Sequence, residues 1–214
     1  MSETLERIAE LGVVPVIAIE SVEAARPLAE ALIAGGLPIA EITFRTAAAA
    51  DVMTALKESH PDLLLGAGTV LTVENIERAA ACGATFAVAP GLNPAVVTRA
   101  AELSIPFCPG VATPSDIEAG LALGCRTLKF FPAGQLGGAA MVKALSGPYR
   151  HTGVKFVPTG GVKPDNLEEY LRLDTVAACG GTWLAKKEVL AAGDWDAVTQ
   201  ACKEAVAIVA KARG

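Results

Sequence analysis

The chain has 214 residues, of which 52% are hydrophobic, 19% charged and 5% aromatic, with a formal net charge of −5. That length allows one sizeable core, which must be built from Ala, Val, Leu and Ile, and it excludes disorder, in which charge outweighs apolar content. The mildly acidic balance offers no global attraction to nucleic acid or to an anionic membrane.

The first segment, "MSETLERIAELG" (1–12), is acidic and helix-like and has no apolar stretch followed by a cleavage site. It predicts an N-terminal helix rather than a signal peptide, and with it a cytoplasmic protein. From there one alternation repeats: a short β-branched or apolar run, a Gly, Pro, Ser or Thr break, then an Ala-rich amphipathic segment. The predicted strands are "VVPVIAI" (13–19), "IAEITF" (39–44), "LLLGAGTV" (63–70), "FAVAP" (86–90), "IPFCPG" (105–110), "TLKFFP" (127–132), "KFVPTGG" (155–161) and "VAACGG" (176–181). Helix-like stretches such as "SVEAARPLAEALIAGG", "VENIERAAACG" and "PSDIEAGLALGC" lie between them, many closing on glycine. Eight strands alternating with helices imply parallel pairing through crossovers. A closed (β/α)8 TIM barrel is the predicted fold, with an open doubly wound sheet as the competing architecture. Without a linker or composition shift, residues 1–214 read as a single domain. Proline in several predicted strands places strand ends or irregularities there.

No apolar run approaches the length of a membrane span. The five cysteines, at 82, 108, 125, 179 and 202, are never two residues apart, and only His60 and His151 are available to join them. Buried free thiols are expected, rather than a zinc site or disulfide framework. Neither histidine is given a catalytic role.

Side chains alternate across a strand. In "IAEITFR" the set Ile39, Glu41, Thr43 and Arg45 should face the barrel interior, while Ala40, Ile42 and Phe44 pack on helices. In "TLKFFP", Lys129 shares a face with Thr127 and Phe131 and is buried on either face. Burial favours an uncharged amine, which is nucleophilic and can attack a carbonyl to form a Schiff base. The bland alternative is a lysine paired with Glu41 to fill the barrel. Glu41 suits proton transfer, with counter-ion duty as its alternative. Arg45, near the C-terminal mouth, offers a bidentate fork for a carboxylate, or else a surface salt bridge. Lys155 opens its strand at the opposite, stability end and reads as structural. The glycine pairs in "PTGG" (158–161) and "CGGT" (179–182) end the seventh and eighth predicted strands, where barrels of this kind often bind phosphate through backbone N–H groups; Thr182 would add a hydroxyl.

Taken in order, "EITFRT" (41–46), "GAGTV" (66–70), "APGL" (89–92), "LKFFPAG" (128–134), "PTGGV" (158–162) and "GGTWL" (180–184) resemble the successive motifs of the KDPG/KHG aldolase family. These are the 2-dehydro-3-deoxy-6-phosphogluconate aldolases of the Entner–Doudoroff pathway. The resemblance implies a (β/α)8 barrel assembled as a homotrimer, working on a phosphorylated 2-keto-3-deoxy sugar acid and pyruvate without metal or cofactor. By motif it implies Lys129 as the Schiff-base lysine and Glu41 as general acid/base. It implies Arg45 and Thr69 on the pyruvyl carboxylate, Phe131 beside the pyruvate moiety, and Thr159 as an influence on stereochemistry. Gly160, Gly161, Gly180, Gly181 and Thr182 would receive the phosphate. Two positions depart from the pattern: Thr182 stands where some members carry serine, and Gly134 where many carry glutamate. The alternatives are the same chemistry on the 6-phosphogalactonate epimer or on 4-hydroxy-2-oxoglutarate, a phosphosugar epimerase or isomerase, and a non-catalytic phosphometabolite-binding barrel.

Overall fold

Parallel strands need crossover connections, usually through a helix. The computed structural model, which describes residues 2–214, is built in that way. Helix α1 (Glu3–Leu11) leads into β1 (Val13–Ile17), α2 (Ala25–Ala34), β2 (Ile39–Thr43), α3 (Ala49–Ser59) and β3 (Leu64–Gly68). Then come α4 (Val73–Ala81), β4 (Phe86–Val88), α5 (Pro94–Glu102), β5 (Phe107–Cys108), β6 (Gly110–Val111) and α6 (Pro114–Ala122). The chain continues through β7 (Thr127–Phe130), α7 (Gly138–Tyr149), β8 (Lys155–Pro158) and α8 (Pro164–Leu171). It closes with β9 (Cys179–Gly181), α9 (Lys187–Ala192) and α10 (Trp195–Arg213).

The result is an α/β fold with a curled parallel sheet. One part runs β5-β4-β3-β2-β1-β9 and the other β6-β7-β8. Isolated parallel bridges, Phe156 to Val176 and Thr159 to Gly180, carry β8 across to the β9 segment. On the other side only Pro109 separates β5 from β6.

All eight predicted strands are present, generally shorter than predicted. The fifth, predicted as one run over 105–110, is interrupted at Pro109, which has no N–H for the ladder. Pro15 sits inside β1 by a different device. There β1 pairs with β9 through Val13, Val14 and Pro15 but with β2 only at Val16 and Ile17, so the β2 ladder begins just past the proline. Several helices that follow strands are started by caps: Thr72 on α4, Asn93 on α5, and a Thr113–Asp116 capping box on α6.

The helices press their apolar faces onto the sheet. Leu28 and Leu32 of α2, Val52 and Leu56 of α3, Ile76 of α4 and Ile117 of α6 are fully buried. Truncating one such leucine to alanine costs about 2–5 kcal/mol. No helix among the described residues is long and apolar enough to cross a membrane.

Candidate active site

The alternation along β2 decides what enters the interior. Phe44 faces outward, its ring 5.9 Å from the Arg78 guanidinium of α4. The other face carries Glu41 and Thr43, 3% and 1% exposed. From β7, Lys129 enters the same space, between Gly110 of β6 and Val157 of β8 in the ladder. Its Nζ lies 3.4 Å from Glu41 Oε1, a contact between residues 88 apart in the chain, with both side chains buried.

Two buried groups of opposite charge stay in a core only when each supplies the other's partner. This pair can also pass a proton between nitrogen and oxygen, so the structure brings together the two residues for which a buried lysine suggested chemistry. Glu41 fits because Gly68, directly across the β2–β3 ladder from Thr43, has no side chain. A Cβ there would lie 2.8 Å from Glu41 Cγ. Cys108 of β5 shares this interior, and burial chiefly pushes its thiol up to about 12.

The chain leaves β7 at Phe130 and turns through a cis Phe131–Pro132 bond. The Phe131 ring centroid is 5.7 Å from Lys129 Nζ. Thr69, the first residue past β3, is half-buried with φ of 58°. A β-branched residue in that left-handed region is held there at a cost, as residues at sites often are. Arg45, just past β2, is exposed, donates its Nε–H to Thr43 Oγ1 at 3.3 Å and has no acidic partner among the described residues. It lines a cleft of about 390 Å³ together with Thr46, Thr182 and Lys187. A cavity of about 560 Å³ elsewhere is lined by Lys155, Asp174 and Arg213 and contains none of these residues. Lys155 opens β8 and donates to the Asp174 carbonyl at 2.7 Å, the structural position its sequence predicts.

The glycine pairs divide in character. Gly160 and Gly161 follow β8 with φ of 86° and 77°, and the N–H groups of Gly160, Gly161 and Val162 make no hydrogen bond among the described residues. Gly180 and Gly181 instead lie within β9, where packing explains them. A Cβ on Gly180 would lie 2.9 Å from Thr159 Cγ2, and one on Gly181 would collide with the Trp183 ring. Thr159 is buried beside Gly180 and donates to the Val157 carbonyl at 3.4 Å. Gly134 joins the turn after β7 to the turn after β8: its N–H donates to the Gly160 carbonyl at 2.8 Å, and a Cβ on it would lie 3.1 Å from Gly161 Cα. Sequence reasoning gave Thr43 and Gly68 no role. The inward parity of Thr43 and the bare face of "GAG" were the available signals.

Residues 5–201 match the family model described as KDPG and KHG aldolase. The 2-dehydro-3-deoxy-phosphogluconate aldolase of Treponema pallidum is 48% identical over 207 residues, covering 97% of this chain and 96% of the relative. The KHG/KDPG aldolase of Escherichia coli K12 is 41% identical over 194 residues, 91% of this chain and 90% of the relative. Among solved structures, KDPG aldolase from Legionella pneumophila, with pyruvate captured as a covalent carbinolamine intermediate, superposes with a TM-score of 0.90. It is 41% identical and the match covers 94% of this chain and 97% of that one. Fold and relatives together define the class, an α/β aldolase and therefore a carbon–carbon lyase. The chain belongs to the KDPG and KHG aldolase family.

Proposed function

We propose that this chain is a class I aldolase that cleaves 2-dehydro-3-deoxy-6-phosphogluconate to pyruvate and D-glyceraldehyde 3-phosphate through a Schiff base on Lys129. The observation that carries the proposal is the 3.4 Å approach of Lys129 Nζ to Glu41 Oε1 in a buried interior. The covalent pyruvate adduct in the Legionella relative supports it.

In this cycle the uncharged amine of Lys129 attacks the C2 ketone to give a carbinolamine. Proton transfer through Glu41 lets hydroxide leave as water, forming the iminium. Glu41 then takes the C4 hydroxyl proton as the C3–C4 bond breaks, and the bonding electrons flow into the iminium to make an enamine. Glyceraldehyde 3-phosphate departs, C3 is protonated, and water releases pyruvate and the free lysine. Arg45 and Thr69 hold the pyruvyl carboxylate, Phe131 packs beside the pyruvate moiety, and Thr159 bears on stereochemistry. Gly160, Gly161, Gly180, Gly181 and Thr182 receive the phosphate. The unpartnered N–H groups at Gly160, Gly161 and Val162 support that last assignment best.

The same reading counts β5 and β6 as one strand broken at Pro109. The bridges from β8 to the β9 segment then make the curled sheet a closed (β/α)8 barrel, a single domain with α1 at its N-terminal side. A cytoplasmic homotrimer completes the proposal.

Reductive trapping with pyruvate and sodium cyanoborohydride, followed by peptide mapping, is the test. Label on the peptide containing Lys129 is expected; label on another lysine, or on none, overturns the scheme. An epimerase, isomerase or non-catalytic binding barrel would survive the treatment unlabelled. Assays with and without the substrate phosphate separate the phosphogluconate reading from 4-hydroxy-2-oxoglutarate, and parallel assays with the two epimers separate it from phosphogalactonate.

A further inference from the structure

Thr43, the last residue of β2, shares its inward face with Glu41, stands two residues before Arg45 and is 1% exposed. A hydroxyl buried to that degree needs partners, and it has two. Oγ1 donates to the Ile17 carbonyl at the end of β1, 3.0 Å away, and accepts the Nε–H of Arg45 at 3.3 Å. A hydroxyl has one proton and two lone pairs. With the proton committed to Ile17, the rotor is fixed and what faces Arg45 is acceptor capacity only, matched to a guanidinium that only donates. Arg45 itself is exposed, and Thr43 is its one side-chain partner among the described residues.

We propose that Thr43 is a positioning residue for Arg45. By occupying the Nε–H it orients the long side chain against the end of β1, and both terminal Nη groups remain as an unoccupied fork in the cleft lined by Thr46, Thr182 and Lys187. End-on pairing of two Nη groups with a carboxylate is the geometry such a fork serves. Two hydrogen bonds through one oxygen thus connect β1, β2 and the guanidinium, so the arginine reaches substrate already ordered and loses less conformational freedom on binding. The kinetic part of the claim rests on the reading of Arg45 as the carboxylate ligand.

Thr43→Val keeps the bulk and removes both hydrogen bonds, whereas Thr43→Ser keeps both. The expected result for Thr43→Val is a KM raised about tenfold with kcat changed by less than about threefold, and recovery to near parental values in Thr43→Ser. In an Arg45→Met background, Thr43→Val should add no further rise. A second readout does not depend on which anion Arg45 binds: the ¹⁵N–H resonance of Arg45 Nε should be protected from exchange in the parent and in Thr43→Ser, and unprotected in Thr43→Val. Should Thr43→Val not fold, Thr43→Ala makes the same test with a smaller side chain. An unchanged KM with unchanged Nε–H protection overturns the proposal, as does an equal KM rise with Arg45 already removed. If Arg45→Met alone leaves KM unaltered, the carboxylate assignment falls, and Nε–H protection decides for Thr43 on its own: loss in Thr43→Val supports positioning, and no change refutes it.

Discussion

Gly68 and Glu41 compete for one space: a Cβ on Gly68 would lie 2.8 Å from Glu41 Cγ and would overlap its carboxylate. The obstructing atoms belong to a flexible side chain rather than to backbone, so Gly68→Ala should move Glu41 and leave the sheet in place. On the proposed cycle, displacing the carboxylate from its 3.4 Å contact with Lys129 removes the proposed acid/base partner while leaving the amine. General acid–base help is worth about 10²–10⁴-fold, and kcat should fall within that range. The thermal melt, measured beside steady-state kinetics, should fall as well, because Lys129 is then buried without its partner. Retained activity would show that Glu41 tolerates the methyl where it stands.

The pair itself separates chemistry from stability. Lys129→Met leaves the Glu41 carboxyl, 4% exposed as a side chain, without its cation. Breaking a buried pair in this way costs about 3–5 kcal/mol, whereas replacing both members by apolar groups is often neutral or stabilising. The double variant Lys129→Met, Glu41→Leu should therefore be inactive yet as stable in urea as the parent, and more stable than Lys129→Met alone. A double variant less stable than either single one would mean that Lys129 and Glu41 do not serve as each other's counter-ions.

Much of this was readable from the residues because the fold obeys local rules. β-branched runs set where β1 and β2 begin, and period-two alternation put Glu41 and Thr43 on one face and Phe44 on the other. Strand ends were less readable. Pro109 interrupts the fifth strand and β7 stops at Phe130, so Phe131 reaches Lys129 from a turn rather than by strand parity. The meeting of Lys129 with Glu41 spans 88 residues and depends on the curl of the sheet, which no local pattern encodes. Glycines were the hardest to assign, because a missing side chain has meaning only through its neighbours. Gly180 and Gly181 looked like phosphate donors in sequence, and the structure adds the Thr159 side chain and the Trp183 ring as direct reasons for them.

Asp116 makes acid stability predictable near the site. Burial alone would raise its carboxyl. The Ala112 N–H, the Thr113 side chain and the Thr113 N–H together outweigh that and hold it below the usual aspartate range. A carboxyl lowered in the folded state contributes stability at pH values above its unfolded range and loses that contribution as pH falls through the folded value. The difference between parent and Asp116→Ala should be about 1 kcal/mol at pH 7, the scale of a helix cap, and should close below about pH 4. Urea titrations at pH 7, 5 and 3 measure it; a difference independent of pH would mean that the carboxylate charge is not what caps α6.

The thiols report on how dry the interior is. Burial pushes Cys108 and Cys202 up to about 12, and raises Cys179 as well. Since the thiolate is the reacting form, none of these three should react with an aromatic disulfide reagent at pH 8 while the protein is folded. Cys82 and Cys125 are half-buried, and burial also raises Cys125, so Cys82 should label first and Cys125 slowly. Unfolding in urea should release all five. Cys108 is the informative position, because it shares the interior of Glu41 and Lys129 closely enough to feel both charges. Labelling of Cys108 in the folded protein at the rate of Cys82 would mean that water reaches the Lys129–Glu41 pair freely and that this interior is not dry.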